Sequence, residues 1–85
     1  MEPLLGSLLL VPYNFEPRGW AFCKGQLLHI SQNTALFSLI GTTYGGDGTT
    51  NFALPNLSGG KGITDASGAP LNWIIALVGA YPSRP

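Results

Sequence analysis

Apolar residues gather near the two ends of this chain, and polar, glycine-rich sequence fills the space between them. Ser7 to Tyr13 is rich in Leu and Val and bounded by Gly6 and Pro12, which predicts a largely apolar strand. Asn14-Phe15-Glu16-Pro17-Arg18-Gly19 reads as a turn, with Pro and Gly as punctuation. Trp20–Cys23 and Gln26–Ile30 then predict a hairpin around Lys24-Gly25. Lys24 suits a type I′ turn poorly, because both central residues need positive φ, so another turn type is expected. Ser31 is a predicted N-cap for a short helix over Gln32 to Ile40, closed by Gly41. Asn33, Leu36, Phe37 and Ile40 fall on one side of that helix and predict its core-facing stripe.

Residues 41–70 hold most of the glycines and threonines and read as one long loop. Tyr44, Phe52, Leu54 and Leu57 are spaced to pin it to the core, with a brief strand at Phe52–Leu54 before Pro55. Gly45-Gly46-Asp47-Gly48 predicts tight turns at positive φ, with Asp47 bonding nearby backbone N–H groups. Leu71–Tyr81 predicts a strand, because Trp73, Ile74, Ile75, Val78 and Tyr81 outweigh the helical reading and Gly79 and Pro82 close it. Its unbroken apolar stretch, Trp73–Val78, implies burial on both faces. A chain this short offers few places for that, so a neighbouring subunit is expected to cover part of it.

The fold class expected is mainly β with one short α-helix, in a single domain over residues 1–85 with a marginal core. Hydrophobic residues make up 45%, which excludes a disordered tail. Four basic residues (Arg18, Lys24, Lys61, Arg84) balance four acidic ones (Glu2, Glu16, Asp47, Asp65). So neutral a chain has little with which to neutralise phosphates, and no nucleic-acid partner is expected. It also offers little electrostatic resistance to self-association. The run Leu4 to Val11 is broken by Gly6 and Ser7 and is far shorter than the ~20 residues of a membrane helix. No membrane span and no classical signal peptide are therefore expected.

Candidate chemistry is sparse. Cys23 is the lone cysteine, which excludes an intrachain disulfide and a zinc-finger cluster; it reads as a small apolar side chain. His29, the lone histidine, lacks companions for a metal site and is expected opposite Trp20 in the hairpin. Gly60-Lys61-Gly62 fails the phosphate-loop pattern, and Gly45-Gly46-Asp47-Gly48 has too few carboxylates for a calcium loop. No nucleophile elbow occurs. Asn56-Leu57-Ser58 matches a glycosylation acceptor in form only. Trp20, Trp73, Tyr13, Tyr44 and Tyr81 are candidates for sugar stacking, with core or interface packing as the competing assignment.

The strongest signal is an ordered set of motifs. Pro17-Arg18-Gly19-Trp20 and Cys23-Lys24-Gly25-Gln26 precede Leu36-Phe37, then Ile40-Gly41-Thr42-Thr43-Tyr44-Gly45-Gly46-Asp47-Gly48, then Phe52-Ala53-Leu54-Pro55-Asn56-Leu57. Over residues 17–57 this order resembles the phage tail collar family, which includes short tail-fibre collars and microcystin-dependent proteins. The ending Leu71–Leu77, Gly79 and Pro82-Ser83-Arg84 is similar to the C-terminus of the second group. The resemblance implies a structural family. Relatives usually carry Asp and Arg around the Leu-Pro motif, where this chain has Asn56 and Ser58. They also carry a longer variable region before the C-terminal strand, here only the short connection 58–70. If that region reads receptors, this chain has kept the scaffold and lost the reader.

These readings converge on a non-catalytic structural subunit, without cofactor or metal, that assembles with copies of itself into a phage-tail-like fibre or extracellular filament. The expected assembly interface is Leu8, Leu9, Leu10 and Val11 on an N-terminal edge strand, with Trp73, Ile74, Ile75, Leu77, Val78 and Tyr81 on a C-terminal one. Gly41, Tyr44, Gly45, Gly46, Asp47, Gly48, Phe52, Leu54 and Pro55 are expected to build a structural loop. The competing hypothesis is an adhesin tip binding a cell-surface glycan through residues 41–70. Other tail or fibre components are further expected partners, in a virion, tail-like particle or extracellular assembly.

Overall fold

The computed structural model describes residues 3–57, 63–64 and 66–83. In chain order its elements are β1 (Leu8–Val11), β2 (Trp20–Phe22), β3 (Leu27–His29), α1 (Thr34–Ile40), β4 (Asn51–Ala53), β5 (Ile63–Thr64) and β6 (Pro70–Ala76). One turn of 3-10 helix, Ile30–Gln32, leads into α1. β1, β6 and β2 lie side by side in that order, all antiparallel, and β5 pairs with the start of β6. β3 and β4 form a second antiparallel sheet. The fold is mainly β with one short helix, as the sequence predicts.

β6 is the strand about which the main sheet is built. Leu8 of β1 and Ala21 of β2 lie either side of Ile75, and Leu9 and Phe22 lie either side of Ile74. Successive residues of a strand face opposite sides of the sheet, so Ile74 and Ile75 serve different faces. Each is only 1% exposed. The expected burial of Trp73–Val78 on both faces holds for Ile74, Ile75 and Ala76, which the chain itself covers, and fails at Val78, which is 61% exposed. The expectation of a C-terminal edge strand is thereby corrected: β6 is central, because residues far away in sequence flank it. Burying each isoleucine contributes about 1.5–3 kcal/mol relative to exposure. β6 also ends at Ala76 rather than continuing to Tyr81. Beyond it Gly79 is pressed against the Pro3 backbone, where no Cβ fits, and Ala80 N–H donates to Pro3 O at 3.0 Å.

The predicted hairpin between Trp20–Cys23 and Gln26–Ile30 does not form. β2 pairs with β6, and β3 pairs with β4, so the two segments part at Lys24-Gly25. The Gln26 side chain does locally what a hairpin ladder would have done. Its Oε1 accepts the Lys24 N–H at 3.0 Å and its Nε2 donates to Phe22 O at 2.8 Å. His29 consequently faces Asn51 across β3–β4, not Trp20.

The helix also starts differently. Ser31 falls in the 3-10 turn and does not cap; Asn33, at φ −143°, separates that turn from α1 and donates through Nδ2 to His29 O at 3.0 Å. Gly41 closes α1 as expected, its N–H donating to Phe37 O at 2.8 Å. A helix of 7 residues has little stability of its own, so tertiary packing must hold it. Leu36 provides that packing by being fully buried, while Asn33, Phe37 and Ile40 are half-buried. Leu36 joins Leu5, Ala21, Cys23, Phe52, Leu54 and Ile75 in the core that ties both sheets and α1 together.

Candidate assembly surface and the loop that frames it

β1 is an end strand, and among the described residues no strand pairs with its outer edge. Leu8, Leu9 and Leu10 are all exposed, Leu9 to 49%, so both faces of this strand show leucine to solvent; Val11 is buried. Natural proteins blunt such edges with charge, proline or bulges. Here the sequence from Pro3 to Phe15 carries no charge, and its prolines, Pro3 and Pro12, both lie outside the strand. The apolar character continues into the following turn. Tyr13 and Phe15 stack with ring centroids 4.6 Å apart, and Phe15 is 60% exposed. Asn72 fixes that turn by donating through Nδ2 to Tyr13 O at 2.9 Å.

The other candidate interface residues divide. Val78 and Tyr81 are exposed, and the Tyr81 hydroxyl lies 2.7 Å from Ser38 Oγ on α1. Trp73 and Leu77 are half-buried against the core, and Ile74 and Ile75 lie wholly inside it. Sequence reasoning overlooked Leu4 and Phe15, both exposed. The uncharged run Pro3–Phe15 was the signal that extends the surface to them.

The glycine-rich loop is a self-contained frame. Asp47 Oδ1 accepts N–H bonds from Thr49 and Thr50, each 2.8 Å, and from Asn51 at 3.1 Å. Its Oδ2 accepts the Thr50 hydroxyl at 2.8 Å. These donors hold the carboxyl well below the usual carboxylate range, with the backbone N–H groups of Thr49, Thr50 and Asn51 as the principal cause. Gly41, Gly45, Gly46 and Gly48 all have positive φ. Gly46 is the most constrained, because a Cβ there would stand 2.5 Å from Phe52 Cα. Ala53 N–H donates to Gly45 O at 3.0 Å, and Phe52, Leu54 and Pro55 are buried, while Tyr44 stays exposed.

The sequence motifs meet in space. Leu57 N–H donates to Cys23 O at 2.9 Å, Gly25 N–H to Pro55 O at 3.2 Å, and Leu54 N–H to Gln26 O at 3.0 Å. Cys-x-Gly-Gln and Leu-Pro-x-Leu thus run against each other, and their chemistry is backbone pairing. Burial pushes the Cys23 thiol up to about 11, which suits an apolar core residue and not a nucleophile. A groove of about 290 Å³ opens between α1 and the end of β6, lined by Leu5, Leu36, Leu77 and Val78 with Gln32 and Thr34. No titratable side chain lines it. Among the described residues no three metal-ligating side chains cluster, and no helix is long and apolar enough to cross a membrane.

Fold and surface together define a small β-rich structural module whose motif residues serve the backbone. Residues 6–60 match the Phage Tail Collar Domain family. The chain belongs to that family, a structural one that gives it a place among phage tail components. No curated protein and no solved structure matches the chain.

Proposed function

We propose that this chain is a non-catalytic structural subunit that assembles with copies of itself in a phage-tail-like fibre or filament. The observation that carries this reading is β1, an uncharged end strand with three adjacent exposed leucines in a member of a tail family. Exposed apolar patches bordered by polar surface mark interaction sites, and an open strand edge is a template for another strand. Leu8, Leu9 and Leu10 form the centre of the joint, with Val78 and Tyr81 as further exposed contributors. Trp73, Ile74, Ile75, Leu77 and Val11 act behind it, by holding the sheet that presents it. The glycan-binding alternative has less behind it, because the Asp47 carboxylate of that loop accepts its bonds from Thr49, Thr50 and Asn51 of the same loop.

Sedimentation velocity across a concentration series tests the reading. Concentration-dependent oligomers are expected at micromolar protein. A sharp monomer at every concentration, with unfolding that does not depend on concentration, overturns it.

A further inference from the structure

The hydrogen-bonding polarity of β1 specifies more than an adhesive edge. Ser7 O accepts the Ala76 N–H at 2.9 Å. In an antiparallel ladder, pairs that exchange hydrogen bonds alternate with pairs that do not. Continuing from the Ser7 carbonyl along the register Leu9↔Ile74 and Val11↔Asn72, residues 9 and 11 turn their N–H and C=O groups toward β6, while the Ser7 N–H donates to Leu4 O at 3.1 Å. Leu8 and Leu10 therefore turn theirs outward, to the edge that no described strand covers.

We infer that β1 pairs antiparallel with β1 of a second copy across a two-fold axis at Leu9. This rests on the self-assembly reading above and names its partner and register. Three centres are available to such a pairing. With Leu9 facing Leu9 of the second copy, Leu8 faces Leu10 in both directions, and all the outward N–H and C=O groups of the two strands are matched. Centring on Leu10 would set Leu8 against Pro12, which has no N–H to give. Centring on Leu8 would set Leu10 against Gly6, whose N–H already donates to Ala76 O at 2.9 Å. Only the Leu9 register leaves no outward carbonyl of Leu8 or Leu10 without a donor.

Side chains and charge agree with it. Residues directly opposite in an antiparallel pair share a face, so Leu9 meets Leu9 on one face and Leu8 meets Leu10 on the other. A two-fold axis sets each residue near its own kind, which would oppose like charges; the run Pro3–Phe15 has none to oppose. The result is one continuous sheet across two copies, in the order β2-β6-β1-β1-β6-β2; this joint closes a pair, and extension into a fibre falls to a second surface, for which Val78 and Tyr81 are exposed. Paired four-residue strands engage far fewer than the roughly 20–30 residues a side of a standard interface. The joint is accordingly reversible and concentration-dependent.

Single-cysteine cross-linking in a Cys23→Ser background of the full chain tests the register. Leu9 would form a pair without mutual hydrogen bonds, with Cα atoms about 4.5 Å apart, inside the range a disulfide spans. Leu8 and its own copy would be offset by two residues, about 8–9 Å apart, beyond that range. Under mild copper-catalysed oxidation Leu9→Cys is expected to give a covalent dimer in high yield, and Leu8→Cys and Leu10→Cys at least tenfold less. A mixture of Leu8→Cys and Leu10→Cys should recover the heterodimer. Equal yields from all three single variants, or none from Leu9→Cys while sedimentation still finds oligomers, overturns the register and leaves self-assembly standing. A monomer by sedimentation removes both. Leu9→Lys, at an exposed position, should keep the native circular dichroism yet raise the dissociation constant at least tenfold; unchanged association counts against the axis.

Discussion

Asp47 and Asn51 hold each other by reciprocal bonds: Asp47 Oδ1 accepts the Asn51 N–H at 3.1 Å, and Asn51 Oδ1 accepts the Asp47 N–H at 2.9 Å. Gly48 N–H closes the same loop on Asn51 O at 3.0 Å. Asn51 opens β4, so the loop is anchored to the second sheet by the residue that also completes it.

The carboxylate is the acceptor for most of those bonds, so its charge state sets the stability of the loop. Its native pKa is depressed relative to the unfolded chain. The sign follows from linkage: the stabilisation is full above the unfolded value near 4 and is lost as pH falls through the native value. Asp47→Asn is expected to lower the melting temperature at pH 7, with the gap to wild type narrowing progressively below about pH 4. Thermal melts of both proteins from pH 7 to pH 2 check this; a constant gap would show that the charge is not what matters.

Gly46 faces a steric limit as well as a conformational one. Its φ is 96°, and a Cβ would press on the Phe52 backbone, which cannot move without disturbing a fully buried ring. Gly46→Val should cost at least ~1–2 kcal/mol, the scale of a misplaced residue in strained backbone. Gly68, also at positive φ but with open space around it, should tolerate Ala better. Denaturant unfolding of the two variants makes the comparison. Equal losses would assign the whole effect to φ and none to the Phe52 contact.

Cys23 is 1% exposed, with its thiol raised to about 11 by burial. Reaction with a thiol reagent needs both access and thiolate. At pH 8 native protein is expected to react only as fast as it opens, while protein in denaturant reacts at the rate of a free cysteine. Rapid stoichiometric labelling of the native state would contradict the burial.

How much of this was legible beforehand depended on whether the deciding contact was local. The motif order over residues 17–57 was enough for the family, and the Asp47 turn was readable because its donors lie within four residues. α1 was visible in Leu36 and Gly41, though Ser31 misled, since the 3-10 turn precedes Asn33 and takes the place of a capped start. The hairpin failed because Lys24-Gly25 looks like a turn between strands, while the real partners of β2 and β3 lie some fifty and twenty-five residues onward. Nothing local encodes that choice. The strand β6 was read correctly as buried at Ile74 and Ile75; that β1 and β2 flank it, with Leu8, Leu9, Ala21 and Phe22 beside these two residues, is long-range information again.

That difference in β6 changes what Ile75→Asp should do. If Ile75 lay at a joint between subunits, an aspartate there would yield folded monomers. It instead sits at 1% exposure between Leu8 and Ala21, in contact with the cluster that includes Leu36 and Phe52. The core has no buried polar or charged residue among those described, so nothing there can partner a carboxylate. Leaving a charge uncompensated in such a place costs about 3–5 kcal/mol, a large fraction of the stability of a small domain. Ile75→Asp should therefore lose cooperative unfolding and near-ultraviolet circular dichroism, whereas Leu9→Lys keeps both and loses only association. Folded, soluble Ile75→Asp monomers would return the residue to an interface and require β6 to be open on one face.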